Sequence, residues 1–232
     1  MQRRKFTALL SAFAATWGWR GPAQAASLTE FDASSGVRVA LERGALAAVG
    51  LLGRTDGFLG NPKVRIPLPS FLNDAAKFLK ATGQQKRVDQ LVIAMNRAAE
   101  AAMPEGKALL VSAVKAMSVE DALQVIKGGD NSVTQFFSDK TREPLGVKFL
   151  PIVTQATEKV SLAAKYNSLA SRAASLGLMR KEDASIEQYV STKALDGLFL
   201  MIGEEERKIR KDPVGTGSAI LKKVFGSLKQ GA

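Results

Sequence analysis

Apolar residues recur at three- and four-residue steps along most of the chain, which is the spacing of helices that bury one face. The first such run covers residues 37–53. The same spacing predicts further helices that begin at Pro69-Ser70, Val88, Pro104, Ser118, Asp130 or Ser132, and Ser185. Pro104 is expected to open its helix, because proline suits a first turn. A run from Leu145 towards Tyr166 contains Pro151, where we expect a kink or a break. The pattern predicts an all-α protein with a single compact multi-helix domain.

Residues 54–69, called the strap below, interrupt the helical pattern. They contain five helix-breaking residues, Gly57, Gly60, Pro62, Pro67 and Pro69. Each proline pushes the residue before it out of the helical region, so residues 65–69 must be extended. A proline-rich extended loop of this length is uncommon in a compact domain, so we expect it to wrap the surface or to line a groove. Packing is favoured, because the strap carries the apolar residues Phe58, Leu59, Ile66 and Leu68.

Two further helices carry patterns that make specific predictions. In the helix after the strap, the face predicted to be buried comprises Phe71, Leu72, Ala75, Phe78 and Leu79. In the helix after Ser185, the acidic string EEE at 204–206 precedes several basic residues, which predicts a solvated helix end.

The first residues have the three parts of a secretory signal. A basic start, MQRRK, precedes an uncharged apolar run at residues 7–19, and AQA at 23–25 offers the small residues that a signal peptidase recognises. The apolar run is too short to span a bilayer, which takes about 20 residues. We therefore predict a signal peptide at residues 1–25, a mature helical domain at residues 26–232 and a periplasmic location.

The export route has two candidates. The string RRKF at 3–6 resembles the twin-arginine core, and Arg20 near the cleavage site fits that route, but a general secretion signal is equally compatible. No cysteine follows the apolar run, which excludes a lipoprotein anchor.

Cysteine and histidine are both absent from the 232 residues, which excludes zinc fingers, disulfide frameworks, thiol chemistry and histidine-based triads. The chain holds 33 Lys and Arg against 22 Asp and Glu, a net charge of +11, and cleavage of the signal peptide would leave +7. The simplest interpretation is a basic surface that keeps the protein soluble. Export argues against nucleic acid as a partner and favours anionic lipid headgroups, lipopolysaccharide or an acidic protein. No cofactor and no metal site are predicted.

Six strings together give the chain a family resemblance. They are TDGFL at 55–59, RIPLP at 65–69, MNRAAE at 95–100, ALDGLF at 194–199, EEERKIR at 204–210 and LKKVFG at 221–226. The chain resembles the bacterial family of domain of unknown function 4197 over nearly the whole mature sequence. The resemblance implies an exported, mostly helical single domain and brings no established activity with it. Many relatives carry a lipobox cysteine, which this chain lacks.

Asp196 is the only charged residue between Ala194 and Ile202, a stretch that is apolar on nearly every side. An unpaired buried carboxylate is costly, so we expect Asp196 to be exposed through a gap or paired. Its candidate partners are Arg65 on the strap and Arg97, and Arg65 is the first choice. We favour a structural ion pair that pins the strap over a ligand-binding or catalytic role.

Asn96, Arg97 and Glu100 lie within one predicted helical turn beside the apolar face, and Arg97 can pair with Glu100. A lone acid and base without histidine, a phosphate loop or a nucleophile motif is weak evidence for an enzyme. These three residues, with Arg65 and Asp196, form the candidate polar cluster, to which no catalytic role is assigned.

The end of the chain predicts one more amphipathic helix after a flexible joint at residues 213–217. Its apolar face comprises Ile220, Leu221, Val224, Phe225 and Leu228, and its basic face Lys222, Lys223 and Lys229. This pattern is typical of an interfacial membrane helix and equally of a surface helix docked on a core. We expect docking, with membrane contact secondary.

These observations predict a non-catalytic binding or scaffolding module that offers a groove between helices to a protein or an apolar ligand. The alternative is peripheral attachment to an anionic membrane surface through the basic C-terminal helix. An enzyme that uses carboxylates is the third possibility.

Overall fold

The computed structural model describes residues 30–177 and 185–212, and the structural statements below concern those residues. Within these two ranges there are seven α-helices, one 3₁₀-helix and no strand. The 3₁₀-helix, Ser70–Leu72, precedes α2, and the α-helices are α1 (Glu30–Gly53), α2 (Asn73–Ala81), α3 (Gln85–Lys115), α4 (Val119–Lys127), α5 (Ser132–Thr157), α6 (Ser161–Ser175) and α7 (Ile186–Lys211). The predicted all-α fold is confirmed.

Helix α3 lies at the centre, against α1, α5 and α7. Helix α4 packs on α1 and α5, α6 on α3 and α7, and α2 on α3. The core between them is apolar, and its largest fully buried side chains include Tyr166, Phe58, Phe137, Phe149, Leu91, Met95 and Met103. Among the described helices, none has an apolar stretch long enough to cross a bilayer.

Two predicted helix starts are confirmed by their caps. At the start of α4, the Ser118 hydroxyl accepts a hydrogen bond from the Asp121 N–H, and the Asp121 carboxylate accepts one from the Ser118 N–H, both at 2.9 Å. This capping box satisfies two otherwise unpaired donors. The bonds from the Ser118 backbone and hydroxyl lower the pKa of Asp121 below its ordinary value. At the start of α7, Ser185 accepts from the N–H of Gln188 at 3.1 Å.

The prediction that Pro104 opens a helix is wrong, because α3 continues through it. A proline inside a helix removes one backbone hydrogen bond, here to the carbonyl of Glu100, and costs about 3 kcal/mol. Neighbouring Met103 is completely buried. A Cβ atom added to Gly53 of α1 would stand 3.3 Å from the Met103 Cβ and 3.8 Å from the Glu100 carbonyl. The close packing of α1 on this turn offsets the missing bond.

Of the kink or break expected at Pro151, the break is absent, because α5 includes both Pro144 and Pro151. Phe149 and Val153, on either side of Pro151, are completely buried, so core packing keeps the segment helical. The apolar run that leads towards Tyr166 is instead divided between α5 and α6 at residues 158–160.

Candidate functional site

The strap is non-helical over residues 54–69, as predicted, with turns or bends over most of residues 54–64 and no regular secondary structure at residues 65–69. Its first turn comes very close to the end of α1. A Cβ atom on Gly57 would collide with the backbone carbonyl oxygens of Leu52 and Leu51, so this position admits only glycine. Asp56 has a positive φ of 62°, a left-handed conformation that aspartate tolerates better than most residues.

Glu100 of α3 binds the backbone of this first turn. Its Oε1 accepts hydrogen bonds from the backbone N–H groups of Phe58 at 3.0 Å and Leu59 at 3.1 Å. Its Oε2 pairs with Arg97 Nη1 at 2.6 Å, and Arg97 Nη2 reaches Asp56 Oδ1 at 2.8 Å. The hydrogen bond that Arg97 donates to Glu100, and to a smaller extent the one it donates to Asp56, raise the pKa of Arg97 above its ordinary value. The pairing of Arg97 with Glu100 predicted from the sequence is confirmed.

Asn96 holds the second half of the strap, residues 65–69. Its Oδ1 accepts from the Ile66 N–H at 2.8 Å, and its Nδ2 donates to the Ile66 carbonyl at 2.9 Å. A third bond joins Nδ2 to the Val92 carbonyl within α3 at 2.8 Å. Asn96 has no exposed surface and Ile66 only 1%, so this one amide satisfies two backbone groups that water does not reach.

Helix α7 holds the strap from the opposite side. A Cβ atom on Gly197 would stand 2.8 Å from the ring of Phe58 and 3.3 Å from the Cβ of Val64, so the missing side chain makes room for the strap. The Tyr189 hydroxyl donates to the Pro67 carbonyl at 3.2 Å. The strap is therefore fixed between α3 and α7.

The predicted pairing of Asp196 with Arg65 or Arg97 is wrong. Asp196 bonds to Arg142 of α5 at 2.7 Å and lies 3.7 Å from Lys193, and its side chain is 44% exposed. The partner is an arginine, as expected, but the pair joins α5 to α7 at the surface and does not touch the strap. Gly197, the next residue, faces the strap. Successive residues of a helix are about 100° apart around its axis, so Asp196 faces a different direction.

Arg65 is exposed and has no ion pair within residues 30–177 and 185–212. The structure thus brings together Asn96, Arg97 and Glu100 of the candidate polar cluster, while Arg65 and Asp196 lie apart from them. Asn96, Arg97 and Glu100, called the clamp below, hold the strap, which is the role that had been predicted for an ion pair of Asp196 instead.

Arg65 instead borders a groove of about 780 Å³ between the strap, α2 and α3, called the strap groove below. Its apolar lining comprises Leu59, Leu68, Ala76, Val88, Val92 and Ile93, and its polar lining Arg65, Asn73, Lys77, Lys80 and Asp89. Lys77 pairs with Asp74 at 3.0 Å, and Asp89 accepts from Gln85. In the described part of the chain, Arg65 and Lys80 have no carboxylate partner, so the rim is positive.

The polar clamp shapes one wall of this groove. Glu100 fixes the backbone of Leu59, whose side chain lines the groove, and Asn96 fixes Ile66 between the lining residues Arg65 and Leu68. The clamp residues face the strap backbone, so they act on any groove ligand only through the wall that they position.

A family model described as "Protein of unknown function (DUF4197)" matches residues 27–226. The chain belongs to this family. The DUF4197 match covers the whole strap, its clamp and the strap groove, and it confirms the resemblance found in the sequence. No curated protein and no solved structure matches the chain.

A second buried polar group, which the sequence analysis missed, joins α4, α5 and α7. Glu206, with 1% of its side chain exposed, bonds to Arg210 at 2.9 Å, and Arg210 also donates to Ser132 and to the Val125 carbonyl. The prediction of a solvated end for residues 204–206 is therefore wrong at Glu206. The sequence signal for this pair was an acidic residue four positions before an arginine, but solvent-exposed helix ends show the same spacing.

Neighbouring Glu204 does lie at the surface, where it pairs with Lys63 of the strap at 2.6 Å. This bond lowers the pKa of Glu204 below its ordinary value.

Within the described residues, no three acidic side chains are placed to share a metal ion. The predicted signal peptide at 1–25, the joint at 213–217 and the apolar and basic residues of the last helix, among them Ile220, Leu221, Lys222, Lys223, Val224 and Phe225, lie outside the described residues.

Proposed function

We propose that this DUF4197 protein is a non-catalytic binding module, and that the strap groove holds a single-chain amphiphile with an apolar tail and an anionic head. The observation that carries the proposal is the combination of an apolar lining with a positive rim in one groove. Its volume of about 780 Å³ lies within the range of roughly 300–1,000 Å³ typical of small-molecule sites.

The lining assigns a place to each end of such a ligand. The tail lies along α3, where Val88, Val92 and Ile93 border the groove. The head lies at the rim, where Arg65 and Lys80 carry charges that no carboxylate of the described residues neutralises. Of the two occupants predicted from the sequence, a protein and an apolar ligand, we favour the ligand, because the volume of the groove suits a small molecule and its walls come from three elements.

The cellular setting belongs to the same proposal. We propose that residues 1–25 direct export and are removed, so that the protein works in the periplasm, either by the twin-arginine or by the general route. An amphiphilic ligand suits this location, because both membranes of the envelope border it. Amino-terminal sequencing of the exported protein tests the proposal, which requires a first residue at Ala26.

Isothermal titration calorimetry of palmitate binding to residues 26–232 tests the ligand class. We expect saturable binding that Ile93→Asp abolishes, because the new carboxylate repels the head and disfavours the tail. Ile93 is 46% exposed, so the substitution leaves the fold intact.

The matched control is Leu200→Asp, at a residue of α7 that is 39% exposed and does not line the groove. Its palmitate affinity must equal that of the unchanged protein. No binding by the unchanged protein, or equal loss in both variants, would contradict the proposed function.

A further inference from the structure

Two adjoining hollows between α3, α4 and α5 form a second groove, which the proposed function does not use. They measure about 310 and 440 Å³ and share Asp121, Phe136 and Lys140, so they are continuous and are called the α5 groove below. On α5 the lining residues recur at three- and four-residue steps from Ser132 to Thr141. The groove therefore follows one face of that helix over about 14 Å.

The two halves of the α5 groove differ in polarity. The half beside α3 is apolar and is lined by Leu109, Ala113 and Ala116 of α3 opposite Phe136 of α5. The half beside α4 is polar, and its amide and carboxylate side chains are Asp121, Gln124, Gln135 and Asp139. In the described part of the chain, Asp121 bonds to Ser118 and Asp139 to Gln135, so neither carboxylate is held in an ion pair. A partner of complementary chemistry is amphipathic and basic.

The end of α7 brings the chain to the polar half of this groove. Arg210 Nη2 donates to the Val125 carbonyl at 2.9 Å and to the Ser132 hydroxyl at 2.7 Å, and both of these residues line the groove. Helix α7 ends one residue later, at Lys211. Five further residues, 213–217, reach about 17 Å when extended. The segment after residue 217 therefore starts within reach of the whole groove.

Residues 218–229 have the complementary chemistry. Their apolar face runs from Ile220 to Leu228, which is about 12 Å in a helix and matches the length of the groove. Residues 213–232 contain three lysines and no acidic residue, while the groove is lined by two carboxylates and one lysine, Lys140. The family match extends to residue 226, so most of this segment belongs to the same domain.

Two other cavities of the described residues suit the segment less well. The cavity that Ile209 lines between α1 and α7 measures about 20 Å³, which is room for a water molecule and not for a helix. The strap groove is large enough, but its positive rim would repel the three lysines.

We propose that residues 218–229 form a helix that docks in the α5 groove of the same chain, with its apolar face against α3 and Phe136 and its lysines towards the two carboxylates. Burial of the apolar face supplies the attraction, and the opposite charges fix the orientation. This docking uses no residue of the strap groove, so it goes beyond the proposed function and can fail independently of it. It makes the C-terminal helix a part of the domain and not a membrane anchor.

Phe225→Trp reports on the docking directly, because the two tryptophans of the chain, Trp17 and Trp19, both lie in the predicted signal peptide and are missing from residues 26–232. We expect the blue-shifted emission of a ring that is shielded from water. Ala116→Arg, added to this variant, should shift the emission to the red, because the new side chain fills the groove and repels the lysines. Ala116 is exposed, so the substitution leaves the core unchanged.

The matched control is Ala101→Arg, at an exposed alanine of α3 that lines neither groove, and its emission must stay blue. Three results would overturn the docking. The first is the emission of a solvated ring in Phe225→Trp, or emission that Ala116→Arg shifts no more than Ala101→Arg does. The second is emission that depends on protein concentration together with the mass of a dimer, which identifies a second copy as the occupant. The third is a blue shift that appears only after vesicles of phosphatidylglycerol are added, which identifies a membrane.

Thiol labelling measures the strength of docking, because the chain has no cysteine of its own. We expect N-ethylmaleimide to label Val224→Cys about tenfold more slowly than Gln230→Cys, which lies beyond the apolar face, and tenfold corresponds to a docking free energy of about 1.4 kcal/mol. Ala116→Arg should raise the rate at position 224 and leave the rate at position 230 unchanged. Equal rates at the two positions in the unsubstituted groove would contradict the docking.

The carboxylates have their own pair of variants. Asp139→Lys should raise the labelling rate of Val224→Cys about fivefold, because it replaces an attraction by a repulsion. Glu158→Lys is the matched charge reversal, at an exposed residue that follows the far end of α5, and should leave the rate unchanged. Equal acceleration by both variants would indicate an effect of net charge alone and would overturn the proposed site.

Discussion

Replacement of Asn96 by leucine tests whether the clamp, and not the apolar contacts alone, fixes the strap. Leucine has the same branching and number of heavy atoms as asparagine but makes no side-chain hydrogen bonds, so Asn96→Leu leaves the N–H and the carbonyl of Ile66 without partners. Each buried orphan group costs roughly 1–3 kcal/mol. Their sum is roughly 2–6 kcal/mol, and the apolar burial of leucine offsets part of it, so we expect a loss of about 3 kcal/mol.

Thermal unfolding followed by circular dichroism measures this loss. For a domain of this size, 1 kcal/mol corresponds to roughly 2–4 °C, so the midpoint should fall by roughly 6–12 °C. The control is Gln90→Leu at an exposed position of α3, which should change the midpoint little. Hydrogen exchange of the Ile66 amide should accelerate only in Asn96→Leu. A midpoint within 2 °C of the original, with the Ile66 amide still protected, would show that the clamp adds nothing to the packing of the strap.

Three further substitutions probe other contacts by urea unfolding. Gly197→Ala places a Cβ 2.8 Å from the ring of Phe58 and should cost about 1–3 kcal/mol, and full stability would mean that the strap yields. Ser118→Ala removes a cap and should cost about 1 kcal/mol at neutral pH. Because the pKa of Asp121 is lowered in the fold, its contribution is present above the unfolded pKa and is lost as the pH falls, so the cost should shrink in acid. Asp196→Asn should cost less than about 1 kcal/mol, because its ion pairs are exposed, and a loss of about 3 kcal/mol would indicate a buried pair instead.

The features predicted correctly from the sequence are those set by neighbours in the chain. The caps at Ser118 and Ser185 act over three residues, and the prolines of the strap act on the residue before them. The pairing of Arg97 with Glu100 likewise needs only one helical turn. Each of these depends on local geometry that the sequence fixes without knowledge of the fold.

The wrong predictions concern features that depend on tertiary packing. Pro104 lies inside a helix and not at its start, and Pro151 does not break its helix, because buried neighbours offset the backbone bond that each proline removes. The helical spacing placed Asp196 on an apolar helix but did not show which element of the fold packs against each face of that helix. The sequence left open whether the strap lines a groove, and the walls that α2 and α3 contribute could not be predicted, because only the fold brings these elements together.

The attachments of the strap have a consequence for the order of folding. Its contacts with α3 join residues 30 to 42 positions apart, and the bond between Tyr189 and Pro67 spans 122 positions. Contacts that close such long loops form late, because the entropy of closure must be overcome before they contribute. The strap therefore settles only after α3 and α7 have met. One wall of the groove is thus among the last parts of the fold to form.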